Sequence, residues 1–279
     1  LNPIEEQIIA LESEAVTTQS KGELGTVTYR TWQPWGDQMG GELVVMMHGG
    51  SGSWSHWIRN IPKLSDYYEL LVPDLPSLGD SSTLPSDTEP KDIAQLMVQT
   101  LKQMVGPRRF HLVAFSWRCV ISALVAAELG SQVKSILLVG PASTGKPPTK
   151  NTMQPLISRT KDMSEDEVDA ANRENLARLM IHDRQKIDGL AVALQTRNTT
   201  KARYNSPRHA MKELLLGGCR KPQQTCWSFT DRKIRSACLI WIGENHKFVP
   251  FALTWFLKPC PELGTGFSMR QRIGSMNVP

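Results

Sequence analysis

Phe110 to Val125 reads FHLVAFSWRCVISALV, an apolar run of strand character that halts at Ser116 and gives way at once to a helical pattern. A side chain on so sharp a strand-to-helix turn is carried clear of the sheet, and a serine there presents its Oγ to a cleft, as a nucleophile must. The turn is crowded, so the pattern that suits it is G-x-S-x-G, with glycines where side chains would collide. Here the pattern is Ala114, Phe115, Ser116, Trp117, Arg118. Ala114 is a mild departure and Arg118 a large one, so for this chain fold and activity are separate questions.

Other apolar runs of strand length lie at Thr26 to Trp32, Leu43 to Met47, Glu69 to Val72, Ser135 to Val139 and Ala237 to Ile242, with turns and helical patterns between them. Strands alternating with helices predict an α/β fold with a mostly parallel sheet covered on both faces. LVVMM, SILLV and ACLIWI are apolar throughout, as central parallel strands buried on both sides are. Between Pro141 and about Pro222 the strand signal stops and three helical patterns replace it. Ser164 and Glu167 fit a capping box ahead of EVDAANRENLARLMIH, and Ser206-Pro207 opens a helix that Gly217-Gly218 closes. The predicted organisation is a core over 1–145, a helical insertion over 146–221, and a return to the core over 222–279. Such an insertion sits over the carboxyl ends of the strands as a lid, a packing subdomain being the plainer alternative.

The net charge of +5 does not point to nucleic acid, because the 32 basic residues are scattered among 27 acidic ones without a long run. Cys119, Cys219, Cys226, Cys238 and Cys260 have no C-x-x-C or Cys/His spacing, which argues against a disulfide framework or a zinc site and fits the cytoplasm. The first residues carry Glu5, Glu6, Glu12 and Glu14, unlike a signal peptide, and no apolar run approaches the roughly 20 residues that span a bilayer. No metal, organic cofactor, nucleic acid or membrane partner is expected. A small-molecule substrate is expected, and a homodimer stays open.

The strand LVVMM runs into His48-Gly49-Gly50-Ser51-Gly52. Backbone N–H groups in such a loop, with the N–H that follows the nucleophile, form an oxyanion hole. The donors here are Gly50 and Trp117. A Walker-type phosphate loop is excluded, since no G-K-[ST] follows.

HGGSGSWSHWIRN, VPDLPSLGDSS, HLVAFSW, SILLVGPAS and GENHKFVP fall in an order and spacing that resembles the α/β-hydrolase-fold enzymes, across most of the chain outside the insertion. Within that fold, W-S-x-W-x-R-N at Trp54 to Asn60 looks like the meta-cleavage-product hydrolases, which split carbon–carbon bonds in keto acids from aromatic degradation. The stretch LARLMIHDRQKIDGLAVALQTRN is similar to that group's lid. The resemblance implies that Ser116 is the nucleophile, that Arg197 holds a keto-acid carboxylate, and that Ser51 and Phe115 line the substrate. Phe115 departs from the polar residue common in that group just before the serine, which keeps an ester substrate open.

The rest of the triad is where this chain departs most. The family's acid follows a strand-G-E-x-D pattern, and Ile242-Gly243-Glu244-Asn245-His246 puts His246 where the aspartate belongs. The family's histidine lies near the C-terminus, and FALTWFLKPCPELGTGFSMRQRIGSMNVP contains none. His246 from its unusual position, and His56 from the loop after Gly52, are the substitutes the sequence offers as base. Reading the codons of Lys258 to Pro279 two bases later, with synonymous choices allowed, yields a peptide with the missing T-H-W histidine loop. That predicts a slipped frame between about Pro250 and Lys258. Two readings follow: a serine hydrolase impaired as written, or a catalytically silent hydrolase fold that binds a small acid or a partner.

Overall fold

The computed structural model describes residues 2–34, 41–141, 154–204, 226–230 and 238–243. The predicted helix after Ser206, His246 and the whole tail lie outside the described residues. The chain opens with helix α1 (Pro3–Ser13), started by a full capping box: Asn2 accepts from the Glu5 N–H at 2.9 Å and Glu5 accepts from the Asn2 N–H.

Eight strands form one mixed sheet in the order β1-β2-β4-β3-β5-β6-β8-β7. Strands β1 (Val16–Gly22) and β2 (Gly25–Trp32) are an antiparallel hairpin, and β2 pairs antiparallel with β4 (Glu69–Asp74). The centre is parallel: β4, β3 (Leu43–Met47), β5 (Phe110–Phe115) and β6 (Val133–Val139) lie side by side. Every residue of β3 is buried, in accord with its unbroken apolar run. The expectation for ACLIWI needs correcting. The strand forms as β8 (Cys238–Gly243) beside β6, but it runs antiparallel to it, and its other neighbour, β7 (Cys226–Thr230), is also antiparallel to β8; an apolar run fits either direction.

Helices α3 (Pro90–Val105) and α4 (Cys119–Leu129) pack on each other and on one sheet face. Their Ile93, Met97, Leu101, Ile121 and Val125 join Val45, Met47, Leu112 and Ala114 in a single core. Full burial of each such side chain contributes about 1.5–3 kcal/mol. Pro90 at the start of α3 needs no hydrogen-bond donor, and Gly106 ends it at φ +59°, a conformation that suits glycine.

The short helix α2 (Ile61–Leu64) and β4 follow β3, whereas β5 and β6 extend the sheet from the other side of β3. The direction of winding therefore reverses between β3 and β5. Ligands of open α/β sheets bind beyond the carboxyl ends of strands at such a reversal.

The predicted insertion contains helices α5 (Glu165–Leu179) and α6 (Gly189–Thr200), packed together. The capping box at Ser164 and Glu167 is formed. Ion pairs fasten this segment to the rest of the chain: Arg197 with Glu12 at 3.0 Å, Lys201 with Asp80 at 2.6 Å, and Arg59 with Asp188.

Candidate active site

Strands β3 and β5 are in register, Met47 opposite Ala114, so the His48 loop and the Ser116 turn leave the sheet side by side at the reversal point. Phe115 is still extended, and Ser116 then turns to φ +60° before the helical turn into α4. A left-handed backbone costs a non-glycine residue about 1–2 kcal/mol, and it persists only where the surroundings hold it. This is the geometry that lifts Oγ off the strand.

Gly49 is what lets the two loops meet. A Cβ there would lie 2.7 Å from the Phe115 ring and 3.3 Å from the Ser116 Cβ. In a region otherwise buried, Gly50, Ser51, His56, Phe115 and Ser116 are each partly exposed where the two loops meet. The Gly50 N–H has no partner among the described residues, as an oxyanion donor requires. Trp117 directly follows the serine, with its indole buried. Ser51, predicted to line the substrate, adopts φ +48°.

The loop is anchored on its far side by an ion network centred on the buried Arg30 and Asp74. Arg30 binds Asp74 at 2.9 Å, Glu12 at 2.6 Å and Asp80 at 2.5 Å, and Asp74 also accepts the Trp54 N–H at 2.8 Å. Gly79, at φ +50°, closes this turn where a Cβ would strike the Asp74 carboxylate at 2.3 Å. A second anchor comes from α6: Ser53 and Ser55 both donate to Asn198 Oδ1, at 2.7 and 3.1 Å. No sequence signal marks this clasp, which joins residues just over half the chain apart.

Two histidines lie in the loop, and neither is free to act as a base. His48 is fully buried; its Nε2 accepts the Leu75 N–H at 2.9 Å, so its proton sits on Nδ1 and is given to the Gly49 carbonyl at 2.8 Å. Burial above all, with the nearby His56 and Arg118, holds it neutral, well below the usual histidine range. His56 accepts the Gly49 N–H on Nδ1 at 3.3 Å, and desolvation lowers its pKa to about 4. The sequence-based expectation of His56 as a substitute base therefore meets a ring whose lone pair is already occupied.

Arg118, in the place of the second elbow glycine, is accommodated without strain, at φ -71°. Its side chain is fully buried, stacked 4.6 Å from the Trp117 ring and 5.0 Å from the Tyr204 ring. Among the described residues, its three guanidinium nitrogens have no hydrogen-bond partner, and desolvation brings its pKa down to about 10. Arg197 stands on α6, where its guanidinium is held by Glu12. Among the described residues, no cluster of His, Cys, Asp or Glu side chains is placed to hold a metal ion, and no helix is long and apolar enough to cross a membrane.

The sequence pattern of the alpha/beta hydrolase fold family matches residues 42–261. This chain belongs to that family. Among curated relatives of this α/β hydrolase, the dihydrolipoyllysine-residue acetyltransferase component of the acetoin cleaving system from Cupriavidus necator is 24% identical over 74% of the chain and 53% of its own length. An AB hydrolase superfamily protein from Gibberella zeae is 30% identical over 41% of the chain and 39% of its own length. The chain thus spans about half or less of the length of these relatives. Among solved structures, a putative lipase from Acinetobacter baumannii superposes with a TM-score of 0.54 at 16% identity, covering 78% of this chain and 71% of that one. The 2-hydroxy-6-oxo-6-phenylhexa-2,4-dienoate hydrolase of Rhodococcus sp. strain RHA1 gives 0.51 at 16% identity, covering 74% and 72%. At this identity the likeness shows the fold.

Proposed function

We propose that this α/β hydrolase is a serine-dependent hydrolase of a carboxylic ester, with Ser116 as nucleophile and the Gly50 and Trp117 N–H groups as oxyanion donors. The observation that carries this reading is the left-handed Ser116 at the carboxyl end of β5, pressed against Gly49 of the loop that supplies the donors. Attack by Oγ on the ester carbonyl forms an acyl-enzyme and expels the alcohol, and water then releases the acid. Carbon–carbon bond hydrolysis of a keto acid is the second substrate class the fold supports. The ester is favoured because Arg197, which would hold the keto acid's carboxylate, is paired with Glu12, and a substrate carboxylate would have to displace that partner.

With His48 and His56 both committed, neither supplies a lone pair for the Ser116 proton, and His246 at the acid position lies outside the described residues. Slow turnover follows, sustained by the oxyanion donors, which in a serine protease lacking a triad member leave roughly 10³–10⁴-fold over water. The same observation favours the alternative of a silent fold that binds a small acid. The test is hydrolysis of 4-nitrophenyl esters from acetate to dodecanoate, beside a vinylogous 1,5-diketone acid, by the protein and by Ser116→Ala. An ester rate that falls at least tenfold in the variant supports the reading. An equal rate in both proteins assigns any activity to something other than Ser116.

A further inference from the structure

His56 is held by contacts that fix its ring and its proton. A Cβ on Gly52 would lie 2.3 Å from the ring Cε1, so only glycine at that position leaves room for the imidazole. The Phe115 ring meets it edge-on, with centroids 5.9 Å apart and planes at 76°. The charged or titratable ring that faces it is His48, 6.0 Å away at 90°, itself uncharged. Because Nδ1 accepts the Gly49 N–H, a neutral His56 carries its hydrogen on Nε2. That Nε2–H has no acceptor among the described residues, and the residue is partly exposed, linked to the Ser116 turn through the Phe115 ring and through Gly49.

We propose that His56 is a substrate-positioning residue, an uncharged hydrogen-bond donor whose Nε2–H takes an acceptor oxygen of a neutral ester bound over Ser116. A neutral imidazole suits this task, since it polarises or orients a carbonyl group without introducing a charge that must be desolvated with the substrate. The backbone of Gly49 links the two functions: its Cα faces Ser116 while its N–H sets the tautomer of His56. The proposal rests on Ser116 as the reacting group, so its test takes the serine chemistry away.

In the Ser116→Ala background, binding of 4-nitrophenyl butyrate is measured by tryptophan fluorescence and by the ¹⁵N-imidazole spectrum. The expected result is that adding His56→Phe weakens binding about tenfold, the usual scale for leaving one polar group unpaired. His56→Gln, which keeps a donor at its amide nitrogen, is expected to bind close to the parent. The spectrum should show His56 as the Nε2–H tautomer at pH 7 and a shift of that signal on binding, a readout that stands even where His56→Phe fails to fold. Equal affinity in His56→Phe, absence of binding to Ser116→Ala, or an Nδ1–H tautomer overturns the proposal. Failure of the serine reading is seen separately, as unchanged ester hydrolysis when Ser116 is lost from the otherwise unaltered protein.

Discussion

Replacing Arg118 with methionine is expected to raise the unfolding free energy by about 1–4 kcal/mol, the range seen when buried ionic groups give way to apolar residues of similar volume. The cause is an uncompensated charge. Arg118 is 0% exposed, its guanidinium nitrogens have no hydrogen-bond partner among the described residues, and the two rings that flank it supply the attraction on view. Cation–π stacking returns about 2 kcal/mol in a desolvated site. Removing an ion from water costs several kcal/mol even after relaxation. Methionine fills much of the same slot between Trp117 and Tyr204 and adapts to irregular shape. In urea titrations at pH 7 the midpoint should rise for Arg118→Met without a change in slope. A fall in the midpoint would show that the guanidinium is paired and that its burial is a favourable part of the elbow.

Acid is expected to destabilise the fold in a window set by the histidines. His56 has a folded pKa of about 4 against an ordinary value near 6.5, so between those limits the unfolded chain binds more protons than the folded one. Stability therefore rises with pH through this window. The stability is fully present above about pH 6.5, and it is lost as the pH falls toward 4. For His56 the loss is about 2–3 kcal/mol, with allowance for its partial exposure. His48, held well below its ordinary value, acts in the same direction. Asp74 acts in the opposite one, since desolvation raises its carboxyl and the folded state holds that proton more tightly. Comparison with His56→Gln isolates the histidine. The variant should lose markedly less stability than the parent between pH 7 and pH 4.5. Parallel pH profiles for the two proteins would show that burial does not depress the His56 pKa.

Much of this arrangement was legible before any coordinates. Strands β3 and β5 are apolar along their whole length because both faces are covered, and a run of that kind has few alternatives. The Ser116 turn was legible for a related reason, since a strand and a helix abut there with no room for a loop. Strand β1 was missed because VTTQSKG lies at the sheet edge with most side chains exposed, so it carries no apolar run. The direction of β8 is not legible because an apolar strand has the same composition whichever way it runs, and here it pairs antiparallel with β6. Contacts between distant residues were the least accessible. Glu12 takes Arg197, Asn198 takes Ser53 and Ser55, and Gly49 fixes the tautomer of His56, each a consequence of tertiary placement with no local pattern.

The central claim is that Ser116 is a positioned nucleophile, and intact mass spectrometry after treatment with a fluorophosphonate tests it most directly. The account predicts a single added phosphonyl group on the 31.2 kDa protein, located at Ser116 and absent from Ser116→Ala. The untreated mass, read in the same experiment, also tests the slipped frame expected between about Pro250 and Lys258. A protein of the expected mass that takes up no label under prolonged exposure would contradict the account, leaving an α/β-hydrolase fold whose strained serine does no chemistry.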